Sequence, residues 1–284
     1  MFSIIITCYN EGLELRRAVE SVRRQTYTDY EIIVVKDFSD HAETLQVCRE
    51  LEQEGIQVLY AEKNVGVSIT RNMGIAAAKG DYIYTVDGDD ELPADALEHI
   101  ARTFEENPSA DVVFGNYELI EGEDNRVVDC SILVVGGNNM LRIDKFFTSS
   151  ILPIGQNATR REVAIQYPLA IAYSFGCQDY ELQLRMLKSG VKFVHTPNLL
   201  YRWYKKPTGI NSSQRNAESL DMCMYDHRDF VAPYIGHRYL LGLCKQNNDA
   251  DSYRKYFAQY APCWCRWARI LPFRLMTKFG RFVK

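Results

Sequence analysis

The sequence predicts an α/β fold over residues 1–205 and a helical extension over residues 206–284, and three observations carry that reading. Strand-like and helix-like periodicity alternate through the first segment with short connections, the pattern of a sheet with crossover helices. The first strand is apolar throughout, as a strand buried on both faces is. A later run, Tyr82-Ile83-Tyr84-Thr85-Val86, stops abruptly at Asp87-Gly88-Asp89-Asp90. It delivers carboxylates at a strand's C-terminal end, where open α/β sheets hold ligands. Three acids in four residues repel one another unless a divalent cation and a polyphosphate share the site. On local grounds a solvated turn capping the next helix accounts for the same residues equally well.

Taken in order, residues 3–7 form the first strand and residues 9–12 a turn. A helix runs from there to about residue 25, with Leu15, Val19 and Val22 as its inner stripe. Residues 31–35 are a second strand. Residues 41–54 make an amphipathic helix with Leu45, Cys48 and Leu51 on one face and Glu43, Gln46, Glu50 and Gln53 on the other. Residues 57–61 are a third strand, and residues 66–78 a small-residue helix that Gly80 ends. After the strand at 82–86, a helix begins near Pro93, turns Leu97, Ile100, Ala101 and Phe104 inward, and stops before Asn107-Pro108. Residues 111–116 are a further strand. Residues 117–135 read as an irregular hairpin pair, and 136–170 as short helices and loops around Gly136-Gly137 and Pro153. Order returns with a helix over 179–187 and a strand over 191–195. A polar loop follows at 205–217, then two or three helices between 218 and 260 without strand signals.

The composition is that of a soluble globular protein: 284 residues, 46% hydrophobic and 25% charged, with a formal net charge of −4. That balance argues against a nucleic-acid partner. The N-terminus lacks the basic region of a signal peptide, and no apolar run reaches a membrane-spanning length, which predicts a cytoplasmic protein. Eight cysteines are scattered without metal-ligand spacing and read as reduced core residues. Cys263 and Cys265 form a lone CxC with no second pair.

Five motifs then fall in a recognisable order. They are Ser3-Ile4-Ile5-Ile6-Thr7-Cys8-Tyr9-Asn10 with Gln25-Thr26-Tyr27, then Glu31-Ile32-Ile33-Val34-Val35-Lys36-Asp37-Phe38-Ser39-Asp40, Asn64-Val65-Gly66, Arg71-Asn72-Met73-Gly74, and Val86-Asp87-Gly88-Asp89-Asp90. In order and spacing this resembles the family 2 glycosyltransferases, over about residues 1–205. The resemblance implies a GT-A fold, a Rossmann-like, mixed and mainly parallel sheet flanked by helices, which binds a nucleotide-sugar donor with a metal bridging its phosphates.

Each motif has a physical reason beside the resemblance. Thr7, Tyr9, Asn10 and Glu11 sit at the end of the first strand, where an aromatic face and short polar groups suit a base and ribose. Asp37 is placed to accept from a base edge, and the UDP-linked donors are the expected class. The resembling proteins carry two acids where this chain has Lys36-Asp37, so Lys36 either puts a cation near the donor or points outward. Arg71 suits a phosphate or carboxylate partner. Asp87 and Asp89 match the family's DXD pair, with Gly88 between them. By resemblance one contacts ribose and the other, Asp89 foremost, coordinates Mg²⁺ or Mn²⁺. Asp90 either orients this pair or caps the next helix.

The resemblance also implies a catalytic base, and Gly176-Cys177-Gln178-Asp179-Tyr180-Glu181-Leu182 fits its context, with Asp179 as the base. A helix N-terminus favours the anion there. Gln178 replaces the family's usual Glu, which puts an acceptor contact in doubt. One base and no second carboxylate as nucleophile imply inversion. Arg202, Lys205 and Lys206, in Tyr201-Arg202-Trp203-Tyr204-Lys205-Lys206, match a Tyr-Arg element before a loop that closes on the diphosphate; a surface basic loop reads equally well. The Gln-x-x-Arg-Trp motif of processive synthases is absent, which favours one transfer per encounter.

Residues 262–284 carry Arg266, Arg269, Arg274, Lys278, Arg281 and Lys284 with no acid, interleaved with Trp264, Trp267, Phe273, Phe279 and Phe282. That pattern predicts a peripheral contact with the membrane surface, in reach of a glycan or lipid-linked acceptor. The competing reading is a helix packed on the domain. Two other functions use much of the same sequence: a nucleotidyltransferase, against which the lack of a Gly-rich basic phosphate loop argues, and a non-catalytic nucleotide-sugar binder, for which Lys36 and Gln178 speak.

Overall fold

The computed structural model describes residues 1–134, 140–141, 146, 154–174, 176–206, 214–260, 273 and 277. The chain divides into two compact units, Met1–Ser213 and Gln214–Lys284.

In the first unit β1 (Phe2–Cys8), β2 (Tyr30–Lys36), β3 (Gln57–Tyr60) and β4 (Tyr82–Asp87) run parallel in the order β3-β2-β1-β4. The crossovers are α1 (Leu13–Arg23), α2 (Ala42–Gln53) and α3 (Val67–Ala77). β1 feeds β2 on one side while β4 joins it on the other, so the strand order reverses at β1. Such a reversal opens a crevice at the C-terminal strand ends. Register sets the floor of that crevice: Thr7 lies opposite Asp87, and Cys8 opposite Lys36. All of β1 is buried, with Ile4, Ile5 and Ile6 packed among Ile33, Val34, Val35, Leu15, Val19 and Leu51. Two-sided burial is why this strand reads as an unbroken apolar run.

The sheet continues through four further strands. α4 (Ala96–Glu106) is followed by β5 (Val112–Glu121) and β6 (Asp124–Val128), a single hairpin in which the strand read at 111–116 runs on to Glu121, where the sequence suggests a separate hairpin pair over 117–135. β7 (Asn157–Arg160) is antiparallel to both β4 and β5 and stitches the two halves together. The sequence places only loops and short helices there; α5 (Arg161–Gln166) is one such helix, and β7 is the correction. Four residues, Asn157 to Arg160, carry too little alternation to register as a strand. β8 (Phe193–Tyr204) runs parallel to β5 and far outreaches the strand read at 191–195. Pro197 and Asn198 mask the continuation, and shifts of register between Phe114 and Tyr117 absorb them. The Asn116 side chain donates to the Pro197 carbonyl at 2.9 Å.

α6 (Gln178–Lys188) buries Leu182, Leu184 and Met186. The second unit holds α7 (Gln214–Asp226), α8 (Arg228–Val231), α9 (His237–Gln246) and α10 (Ala250–Tyr260). The sequence reading of two or three helices misses the single turn of α8. A small core of Leu240, Leu241, Cys244, Tyr253, Tyr256 and Phe257 holds this unit. The six described cysteines are buried; Cys263 and Cys265 lie outside the described residues. Among the described residues no helix is long and apolar enough to cross a membrane.

Candidate active site

The crevice is built from the ends of β1, β2 and β4. Thr7 is buried and contributes its backbone: its carbonyl accepts from the Gly88 amide at 2.9 Å. A Cβ on Gly88 would sit 2.9 Å from that carbonyl oxygen and 3.1 Å from Cys8 Cβ, so the DXD spacer must be glycine for β4 to close on β1. Tyr9 and Asn10 are exposed at the rim, and the Tyr9 amide donates to the Glu11 carboxylate. Burial raises the Glu11 pKa, opposed by that amide and reinforced by Asp89.

Asp37 is buried, and its carboxylate is already engaged. Oδ1 accepts from the Phe38 and Val65 amides and Oδ2 from the Gly66 amide, each at 2.9 Å. Asp37 therefore ties the end of β2 to the entry of α3, through the Val65 and Gly66 amides. Lys36 does not point outward. It is buried, with Nζ donating to the Asp37 carbonyl at 2.6 Å and to the Ser39 hydroxyl, and it lies 5.8 Å from the Tyr9 ring centroid. Ser39 in turn donates to the Tyr9 carbonyl at 2.7 Å. Lys36 is thus an internal tie between the loops after β1 and β2, a role that a charged residue at a strand end does not announce in sequence.

The acids of the opening motif divide three ways. Asp87 Oδ1 accepts from Arg71 Nη2 at 2.5 Å, while Arg71 itself is buried, with Nε and Nη1 lacking any acceptor. Asp89 Oδ2 pairs with Lys206 Nζ at 3.0 Å, and Lys206 reaches Glu14 Oε2 at 2.6 Å. Burial, then Asp87, raises the Asp89 pKa, with Lys206 acting the other way. Asp90 accepts from Tyr201 Oη at 2.7 Å and from the Tyr204 amide at 2.8 Å. Asp95, not Asp90, precedes α4, so the helix-cap reading of Asp90 is corrected: it fastens the acid loop to β8. Tyr201 Oη also accepts from the Asp87 amide at 3.2 Å.

Asp179 stands in the first turn of α6, half-buried, accepting from the Tyr180 amide at 2.8 Å. Burial raises its pKa, Arg71 pulls it down and Asp87 pushes it up, so the three groups share one electrostatic environment. Sequence reasoning anticipates only the helix N-terminus, which favours the anion; burial prevails. Gln178 opens the same helix, half-buried, directly after Cys177, which adopts φ 61°. Asn72 clamps the approach to α6 by exchanging two hydrogen bonds of 2.9 Å with the Leu169 backbone.

Of the basic residues at the end of β8, only Lys206 reaches the acids. Arg202 Nε pairs with Glu118 at 3.0 Å and Lys205 with Glu121 at 2.8 Å, both along the sheet. Successive residues of a strand face opposite ways, so Tyr201 takes the acid loop and Arg202 cannot. Sequence reasoning missed Tyr201 as a site residue, although that alternation singles it out. Among the described residues no three His, Cys, Asp or Glu side chains converge as a ready cation site. Asp87 and Asp89 offer two hard oxygen donors, and the burial that raises Asp89 is relieved by a nearby cation. That donor set fits Mg²⁺ or Mn²⁺ only with diphosphate oxygens completing the shell.

Comparison with known proteins gives a consistent picture. The model of the family described as Glycosyl transferase family 2 matches residues 3–167. The glycosyltransferase GlyG of Streptococcus pneumoniae is 36% identical over 125 residues, 44% of this chain and 41% of that protein. The poly(ribitol-phosphate) beta-N-acetylglucosaminyltransferase TarP of Staphylococcus aureus is 36% identical over 129 residues, 44% of this chain and 38% of that one. Each match thus spans well under half of the curated relative's length. Staphylococcus aureus TarS 1–349, solved in complex with UDP-GlcNAc, superposes with a TM-score of 0.67 at 17% identity, covering 97% of this chain and 81% of that one. GalNAc-T7, solved with UDP, GalNAc and Mn²⁺, superposes with a TM-score of 0.59 at 16% identity, over 99% of this chain and 53% of that one.

Proposed function

The chain belongs to glycosyl transferase family 2, and on that premise we propose that it is an inverting, non-processive glycosyltransferase. It moves a sugar, hexosyl or N-acetylhexosaminyl, from a UDP-linked donor to a hydroxyl of a glycan or lipid-linked acceptor in surface polysaccharide assembly. The observation that carries this reading is the pairing of buried Arg71 with Asp87 at the reversal point of the sheet, with the charges of both acting on Asp179.

Tyr9 and Asn10 receive the base and ribose, and Asp37 and Lys36 hold the loops that shape that surface. Asp179 takes the proton of the acceptor hydroxyl as its oxygen bonds to the anomeric carbon from the face opposite the diphosphate. The bond from that carbon to the phosphate oxygen breaks in the same displacement, and UDP leaves. A carboxylate pKa raised by burial makes Asp179 a stronger base than an exposed aspartate. Arg71, through its unpartnered Nε and Nη1, and Lys206 offset charge on donor and leaving group. Asp89, with Asp87, would hold Mg²⁺ or Mn²⁺, and when bound the ion supplies Lewis-acid stabilisation of the diphosphate.

The test is a screen of nucleotide sugars, UDP-GlcNAc first, by thermal shift with and without Mn²⁺, followed by detection of released UDP. Asp179→Asn lowers turnover by about 10²- to 10⁴-fold while the donor-induced thermal shift persists. Unchanged turnover in that variant, or no shift with any donor, overturns the reading.

A further inference from the structure

Lys206 occupies an unusual place. Its ammonium bridges Glu14, in the first turn of α1, and Asp89, in the acid loop after β4, at 2.6 and 3.0 Å. Glu11 belongs to the same group of charges, since Asp89 and Lys206 both act on its carboxylate. One lysine therefore offsets part of the charge of a crowded acidic rim. It does so by holding the carboxylate oxygen that a divalent ion would need.

We propose that Lys206 is a resident counter-cation that competes with the divalent ion for Asp89 until the donor's diphosphate draws it away, so that ion and donor bind cooperatively. This rests on the transferase reading and adds to it an order of events. An ammonium and a dication cannot share Asp89 Oδ2: they compete for its lone pairs and repel one another. A diphosphate changes the balance because it presents new anionic acceptors to an ammonium with three protons to donate. Lys206 then turns from a competitor of the ion into a partner of the phosphates. Ion alone binds weakly, ion with diphosphate tightly, and the acid rim is never left uncompensated.

The experiment is an electron paramagnetic resonance titration of Mn²⁺ into the full chain, with and without UDP. Without nucleotide, Lys206→Met binds Mn²⁺ about fivefold more tightly than the parent, the scale of one partly exposed ion pair. Lys206→Arg keeps the weak parental binding. Lys205→Met makes the same change of net charge one residue away, at a lysine paired with Glu121, and leaves Mn²⁺ binding where it was. UDP tightens Mn²⁺ binding more in the parent than in Lys206→Met. Unchanged or weaker binding in Lys206→Met overturns the proposal, as does an equal gain in Lys205→Met. Because the donor-induced thermal shift and UDP release are measured separately, loss of the cooperativity alone leaves the transferase reading standing.

Discussion

Asp90 is buried, touches no open part of the crevice, and spends both oxygens on β8 through Tyr201 and the Tyr204 amide. Burial first, then Asp87 and Asp89, lifts its pKa well above the ordinary carboxylate value. Between that ordinary value and the raised one, the folded state binds a proton that the unfolded chain has released. Stability contributed by this group is therefore present at low pH and lost as pH rises through the window. Asp90→Asn keeps the shape and removes the titration. The melting temperature of the variant relative to the parent should rise as pH is raised above the ordinary carboxylate range, read by thermal denaturation at each pH. A difference that stays flat, or that moves against the variant, contradicts the assignment. Lys36 is buried beside Tyr9, its ammonium held by carbonyl and hydroxyl oxygens of its own loop.

At the scale of elements, α3 shows how a motif can be legible while its reason is not. Arg71, Asn72 and Gly74 stand together in the sequence because each meets a different neighbour: Arg71 the acid at the end of β4, Asn72 the loop at Leu169, and Gly74 the sheet. A Cβ on Gly74 would lie 2.3 Å from Ile5 Cγ2 and 3.2 Å from Val35 Cγ2, so α3 seats on β1 and β2 only with glycine there. Gly74→Ala should cost about 1–3 kcal/mol of stability by overpacking, measured by denaturant unfolding, and should weaken donor binding because Arg71 rides on the same helix. Unchanged stability would show that α3 is less tightly seated than described. The strands ending at Cys8, Lys36 and Asp87 were readable because each is a short, largely apolar run followed by polar residues. β7 and the far half of β8 were not, since pairing with β5 and β4 across many tens of residues defines them, and no local period records such partners. Tyr201 was missed along with them, whereas Lys206 was named among the loop cations without its partner Asp89; the division of labour among the three acids was hidden as well.

At the scale of the whole molecule, the sequence separates an α/β segment from a helical one by the loss of strand signals after β8, and the fold class follows from that alone. The basic, aromatic residues 262–284 are harder to place from either side. Most lie outside the described residues, but two do not: Phe273 meets Tyr253 edge-on with ring centroids 5.4 Å apart, and the Thr277 carbonyl accepts from Tyr253 Oη. Phe273 is thus engaged by the helical unit, which favours the packed-helix reading for that residue and removes it from any set of inserting aromatics. The six cations of the segment remain without an acid among them. A contact with a membrane would then be chiefly electrostatic, each basic side chain near an anionic surface contributing roughly 1 kcal/mol and the whole falling with ionic strength. The full chain should co-sediment with vesicles of phosphatidylglycerol and phosphatidylcholine and not with phosphatidylcholine alone. Salt should release it. Replacing Arg266, Arg269, Arg274, Lys278, Arg281 and Lys284 by Gln should abolish sedimentation while the donor-induced thermal shift is retained. Binding that ignores both salt and these substitutions would point to insertion of the apolar side chains, and no binding to either vesicle would leave the segment a packing element alone.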